Sequence, residues 1–134
     1  MAKLSVEIVT PERRMLSVQA DEAIVPGGAG LFGIRPGHTP ILSVIEPGPM
    51  TVREGTSQQI WFVAGGFVEV LDDRVRVLAD QAEPAGNIDA EAARRRMEEA
   101  QARMKGLSAE DGRYQLEAAT VKRETARMHL ARRP

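Results

Sequence analysis

The sequence predicts an α+β chain in two parts, an N-terminal antiparallel β-sandwich over residues 1–84 and a C-terminal α-helical hairpin over 85–134. Three observations predict it. Apolar and polar residues alternate with period 2 through the first part and recur at helical spacing through the second. Glycine and proline follow the same division, with 16 of their 20 occurrences before residue 86. Charge divides as well. The first part carries seven basic and eleven acidic residues, net −4, and the second eleven basic and eight acidic, net +3, inside an overall charge of −1.

Leu4-Ser5-Val6-Glu7-Ile8 alternates strictly, the mark of a strand with one buried face. Leu16, Val18 and Ala20 continue the alternation, and Ile24-Val25 is a short apolar pair cut by Pro26. Strands follow at 50–53 and 59–63, flanking a turn-rich Glu54-Gly55-Thr56-Ser57 loop. Phe67–Leu71 and Arg74–Leu78 form a hairpin about the polar turn Asp72-Asp73. About eight or nine short strands punctuated in this way predict an antiparallel sandwich or flattened barrel. The core of the chain belongs here, since each large apolar side chain fully buried contributes about 1.5–3 kcal/mol.

From Asn87 there is no glycine until 106 and no proline until 134. Asn87 is the expected cap of a first helix, with Asp89 and Glu91 at the positive end of its dipole. Ile88, Ala92, Met97, Ala100 and Met104 fall along one face, and Gly106 ends the helix. Ser108 caps a second helix from about Ala109 to Leu130, with Glu110 and Asp111 in its first turn. Its apolar side is thin: Tyr114, Ala118, Val121, Thr125 and Met128. Such a hairpin buries little area, so at about 25 cal/mol per Å² its adhesion is modest. Gly112 inside the second helix is expected to weaken it by a further ~1 kcal/mol. The arm is predicted to be a two-state element.

Composition excludes several chemistries. Without cysteine there are no disulfides, thiol nucleophiles or thiolate metal sites, and only His38 and His129 represent histidine. No apolar run approaches the ~20 residues that span a bilayer, and the start MAKLSVEIV has no signal-peptide core, so a soluble intracellular location is expected. Gly28-Ala29-Gly30 lacks the lysine and following helix of a phosphate loop. His38 has no serine, cysteine or acid at triad spacing.

The stretch Val25–Pro40 holds five glycines and three prolines, and two readings of it stand. One is a pair of tight turns between strands. The other is a contact loop presenting Leu31 and Phe32 at a flexible tip, where exposed apolar groups imply a partner. Trp61 and Phe62 are adjacent on a strand and face opposite sides, one to the core and the other to an interface. Arg94, Arg95, Arg96, Arg103, Lys105, Arg113, Lys122, Arg123, Arg127, Arg132 and Arg133 form a basic arm. A solvated helix face is one account of it. Interleaved acids and missing aromatics argue against nucleic acid, and an acidic protein surface is the better match.

Val6-Glu7-Ile8-Val9-Thr10-Pro11, Gly33-Ile34-Arg35-Pro36-Gly37-His38-Thr39-Pro40-Ile41-Leu42, Ala64-Gly65-Gly66-Phe67-Val68-Glu69-Val70 and Val77-Leu78-Ala79-Asp80 together resemble the epsilon subunit of bacterial rotary F-type ATP synthases. The resemblance covers the whole chain. It implies a flattened sandwich of about ten strands followed by a helical hairpin, in a non-catalytic central-stalk subunit that couples rotation to ATP synthesis. The implied partners are the gamma subunit, the c-ring and an acidic loop of the beta subunit, with no nucleic acid and no cofactor. The implied location is peripheral, on the cytoplasmic face of the bacterial inner membrane, with membrane association through the complex alone.

Residue by residue, the resemblance assigns Gly28, Ala29, Leu31 and Phe32 to the c-ring and His38, Thr39, Ile41, Leu42 and Ser43 to gamma. Arg94, Arg95, Arg103, Arg113, Lys122, Arg123 and Arg127 are assigned to an arm that hinders ATP hydrolysis by meeting the beta subunit. Some relatives bind ATP through I/L-D-x-x-R-A. Here the segment reads Ile88-Asp89-Ala90-Glu91-Ala92-Ala93, which keeps Asp89 as the candidate cofactor residue but puts Ala92 at the arginine position. The competing reading is a free-standing β-sandwich binding module with a helical dimerisation tail. A small enzyme lacks any nucleophile–base or metal constellation.

Overall fold

The computed structural model describes residues 2–132. The chain divides into two compact units, Met1–Ala85 and Gly86–Pro134. Ten strands build the first: β1 (Leu4–Val9), β2 (Arg14–Ala20), β3 (Glu22–Gly27), β4 (Gly30–Ile34), β5 (Ile41–Val44), β6 (Gly48–Glu54), β7 (Ser57–Ala64), β8 (Phe67–Leu71), β9 (Arg74–Leu78) and β10 (Gln81–Pro84). They form two five-stranded sheets, in the orders β2-β1-β9-β8-β5 and β10-β7-β6-β3-β4. The expected antiparallel sandwich is present, and one of its pairs, β1 with β9, runs parallel.

Alternation decides which side chains fill the sandwich. Leu4, Val6 and Ile8 of β1, Val68 and Val70 of β8, and Val75 and Val77 of β9 are fully or almost fully buried. They share one core with Val25, Ile34, Met50, Val52, Trp61 and Val63 of the second sheet. Trp61 therefore faces the core, and Phe62 is fully buried too, so neither of the pair is the interface residue expected of one of them. The position of Phe62 on the opposite side of β7 follows from the pleat.

Three strands escaped the sequence reading: β4, β5 and β10. All are short, and none has the strict alternation that marks β1, β8 and β9. β3 also continues through Pro26 instead of being cut there. Pro26 lies opposite Leu31, and its carbonyl accepts from Glu46 N at 2.9 Å, on the side away from β4. Its missing N–H thus removes no bond from the β3–β4 ladder. The 54–57 loop shrinks to Gly55-Thr56, since Glu54 and Ser57 pair. Asp72 and Asp73 take φ of 49° and 61°, the left-handed pair of a tight hairpin turn that suits the right-handed twist of its strands.

The Gly65-Gly66 pair has a steric cause. Both residues have positive φ, 73° and 89°. A Cβ on Gly66 would stand 1.8 Å from the Leu78 carbonyl oxygen, so only hydrogen fits between the β7–β8 turn and the end of β9. Another junction is electrostatic. Asp21, between β2 and β3, accepts from Gly55 N at 2.7 Å and from Lys3 Nζ at 2.6 Å, which ties three loops together. The Gly55 amide, and then Lys3, hold the Asp21 carboxyl below its ordinary range, while Asp21 holds Lys3 above its own.

The second unit contains α1 (Ala90–Met104) and α2 (Gly112–Ala131), preceded by a 3₁₀ turn at Ala85–Asn87. Both predicted caps move. Asp89, not Asn87, caps α1 by accepting from Ala92 N at 3.0 Å. Asp111, not Ser108, caps α2 by accepting from Arg113 N at 2.9 Å. Aspartate outcompetes the nearby asparagine and serine because its charge also suits the helix dipole. Gly112 consequently sits at the first helical position instead of the interior, where its cost is smaller than expected. Glu110 and Asp111 lie outside the first turn.

Two outcomes check this description. Gly55→Ala meets open space and suffers only left-handed strain, about 1–2 kcal/mol. Gly66→Ala adds the collision with Leu78 and should lower the thermal unfolding midpoint clearly more, by calorimetry on the two variants. The second concerns acid. A carboxylate with a lowered folded-state pKa stabilises above its unfolded pKa of about 3.9 and loses that contribution as pH falls further. Asp21→Asn should therefore flatten the fall of stability below about pH 4, measured by unfolding midpoints across pH.

Candidate functional site

The two segments assigned to different partners meet at one end of the sandwich. β3 and β4 turn at Gly28-Ala29, and β5 is the edge strand of the other sheet. Three contacts join them. Gly27 bridges to Ile45, Gly28 N donates to Ser43 Oγ at 3.4 Å, and Glu46 N donates to Pro26 O at 2.9 Å. The approach is close enough that a Cβ on Gly27 would lie 2.7 Å from Phe32 Cε1, and one on Gly28 2.9 Å from Val44 Cγ2. These glycines set the distance between hairpin and edge.

The predicted contact loop is consequently a strand–turn–strand, and its tip is Gly28-Ala29. Leu31 and Phe32 lie on β4 beyond the tip. Leu31 is 60% exposed, as expected of a contact residue, whereas Phe32 packs against the core. The Phe32 ring also lies 6.5 Å from that of His38. His38 is held by its neighbours: Nδ1 is 2.6 Å from Thr39 O, and Gly37 N donates to Asp73 Oδ1 at 2.7 Å. A ring so tied is a positioned surface group.

Register divides the edge-strand candidates. Ile41 and Ser43 pair with the buried Val70 and Val68, and so share their inward face; Leu42 and Val44 pair with Glu69 and Phe67 and face outward. Leu42 is 69% exposed. Sequence reasoning missed the neighbours of Leu42. Val44, Phe67 and Leu78 form a continuous cross-strand row over β5, β8 and β9, and all are exposed, as is Leu71. Beside this row Glu69 lies opposite Arg76, and Arg76 pairs with Glu7 at 2.8 Å. A signal was available: Phe67-Val68-Glu69-Val70-Leu71 places apolar residues on both faces of one strand, which a solvated outer face does not need.

The basic arm is less free than its composition suggests. Arg94 pairs with Glu91 and Glu98 on its own helix; the two carboxylates hold its guanidinium above its ordinary range, and Arg94 holds the Glu91 carboxyl below its own. Arg103 reaches Glu117 at 2.9 Å and is raised by it. Arg113 pairs with Asp111 at 2.8 Å, and Arg123 and Arg127 with Glu124 at 3.1 and 2.6 Å. Lys122 is exposed at one end of a further interaction. Arg95 and Lys105 have no ion pair among the described residues. Arg133 lies outside them. The candidate cofactor residue Asp89 has its carboxylate committed to the α1 cap. Among the described residues no group of three His, Asp or Glu is placed to hold a metal ion, and no helix is long and apolar enough to cross a membrane.

Comparison with known proteins converges on one family. The family model described as ATP synthase, Delta/Epsilon chain, beta-sandwich domain matches residues 3–85. An ATP synthase epsilon chain of Myxococcus xanthus is 68% identical over 131 residues, covering 98% of this chain and 96% of the relative. Another, from an Anaeromyxobacter species, is 48% identical over 130 residues, covering 97% and 98%. A chain from the cryo-EM structure of the Euglena gracilis mitochondrial ATP synthase, OSCP/F1/c-ring, superposes with a TM-score of 0.82 over 94% of this chain and 79% of its own. At 20% identity that likeness speaks for the fold alone. Sandwich model and full-length relatives agree: the chain belongs to the ATP synthase epsilon chain family.

Proposed function

We propose that this chain is a rotor subunit of the F-type ATP synthase central stalk, non-catalytic, coupling gamma and c-ring rotation to ATP synthesis. The observation that carries the reading is the shared rim of hairpin tip and edge strand, with Leu31 and Leu42 both strongly exposed beside the Val44–Phe67–Leu78 row. A monomeric sandwich gains nothing from keeping such a row in water, and adhesion to a partner recovers about 25 cal/mol per Å² covered. Close-packed cores deform little, so a partner held at the tip and another at the edge move as one body. Within this reading Gly28, Ala29 and Leu31 meet the c-ring, and Leu42, with Thr39 and His38, meets gamma. The chain then lies peripherally at the cytoplasmic face, held there by the complex.

The helical unit supplies regulation in the same reading. Its arginines meet carboxylates of the beta subunit when the hairpin is extended, and this hinders ATP hydrolysis. Support comes from the composition of the pairs: arginine–carboxylate contacts on a helical surface are each worth ~1 kcal/mol or less and exchange readily.

Two measurements test the two halves separately. Phe67→Glu places a charge in the exposed row and should weaken association with gamma by about tenfold or more while leaving the unfolding midpoint nearly unchanged; equal affinity removes the row from the interface. Deleting 87–134 should raise ATP hydrolysis by the assembled enzyme with synthesis still coupled, and unchanged hydrolysis removes inhibition. Should the purified chain instead sediment as a dimer through 87–130, the binding-module reading gains.

A further inference from the structure

The arginines of the helical unit fall into two kinds. Arg94 and Arg113 find their carboxylates on their own segment, Arg94 at Glu91 and Glu98, Arg113 at Asp111. Arg96 and Arg103 find theirs on the other helix. They lie seven residues apart on α1, and Glu117 and Glu124 lie seven apart on α2. Seven residues are two helical turns, so antiparallel helices bring the pairs opposite each other on one seam. Both rungs are present: Arg103 Nε donates to Glu117 Oε1 at 2.9 Å, and Arg96 Nη1 stands 3.8 Å from Glu124 Oε1.

The rungs differ in strength. The Glu124 side chain is 3% exposed and also receives Arg127 Nη1 at 2.6 Å and Arg123 Nε at 3.1 Å. Three guanidiniums from two helices therefore converge on a carboxylate withdrawn from water, and removing that carboxylate leaves their charges uncompensated. Glu117 is looser. Its Oε2 is buried without a hydrogen-bond partner among the described residues, so this carboxylate is only half satisfied.

We propose that Glu124 and Glu117 form an internal anionic latch across the α1–α2 hairpin, and that Arg96 and Arg103 are the cations that opening the hairpin liberates. A guanidinium fork engaged with one carboxylate is closed to another, so an acidic partner peptide must displace the α2 glutamates to gain these arginines. Arg94 and Arg113 keep their local partners in either state and do not switch. The latch stands on the geometry of the hairpin; its use in regulation rests on the arm reading above.

Amide hydrogen exchange on the full-length chain tests the latch without the rest of the synthase. Arg103→Glu should speed exchange across 90–104 by about threefold, as expected for one partly exposed pair, and Arg103→Glu combined with Glu117→Arg should return it to the wild-type rate. Glu117→Gln with Glu124→Gln should speed it by about tenfold or more. The same variant should bind a decaglutamate peptide about tenfold more tightly at low salt, with the gain lost near ~0.5 M salt. Arg94→Gln should leave hairpin exchange unchanged. Failure of the reversed pair to restore exchange overturns the latch, and so does equal peptide affinity of the neutralised variant and the wild type. Either failure leaves the deletion result on ATP hydrolysis standing, so the two ideas fall separately.

Discussion

The surface assigned to partners hangs from one crossing of the backbone between the two sheets. After β5 the chain leaves the first sheet at Ile45, whose N–H is taken by Gly66 O, and enters the second past Glu46, whose N–H is taken by Pro26 O. Ile45 itself is buried and bridges to Gly27. Backbone groups buried at such a crossing need partners, and these bonds supply them. They also fix the β3–β4 tip against the edge strand. Were the crossing to shift by one residue, Leu42 and Val44 would turn inward and Ser43 outward, because side chains alternate faces. The exposed rim is thus a consequence of register.

How much of this was legible depends on how strongly a residue signals through its own neighbours. β1 and β9 announce themselves because apolar residues alternate with polar or charged ones, and β8 because two valines flank a lone glutamate. β4, Gly30–Ile34, offers glycine at two of five positions, so propensity argues against a strand that pairing with β3 enforces. The parallel β1–β9 pairing was invisible for a different reason: it joins residues about seventy positions apart, and alternation carries no information on which strand lies beside which. The rim was half legible. The Gly27–Gly33 glycines and the apolar Leu31 stand out in the sequence, whereas Phe67, Leu71 and Leu78 merge into a strand pattern that does not mark its outer face.

The helices show the opposite balance. Their existence and approximate length followed from spacing, but their ends turned on competition between cap residues two or three positions apart. In the sequence Glu124 is one of the interleaved acids of a basic arm. Arg127, three residues on, is a partner that spacing within the helix shows, whereas Arg96 on the other helix is one it cannot show. Buried ion pairs of this kind stabilise less than an apolar contact of equal volume, because desolvation offsets attraction. Their use lies in specifying one register, and an antiparallel seam with few large apolar groups needs that specification more than a leucine-rich one does.

Partner contact at the rim is the claim from which the functional reading follows, and site-directed crosslinking in the assembled synthase tests it most directly. The chain has no cysteine, so Leu31→Cys and Leu42→Cys each introduce one thiol on an otherwise silent surface. Contact at the rim predicts a c-subunit adduct from position 31 and a gamma adduct from position 42. Thiols at both positions that remain free, and open to a soluble maleimide, in the intact complex would contradict it.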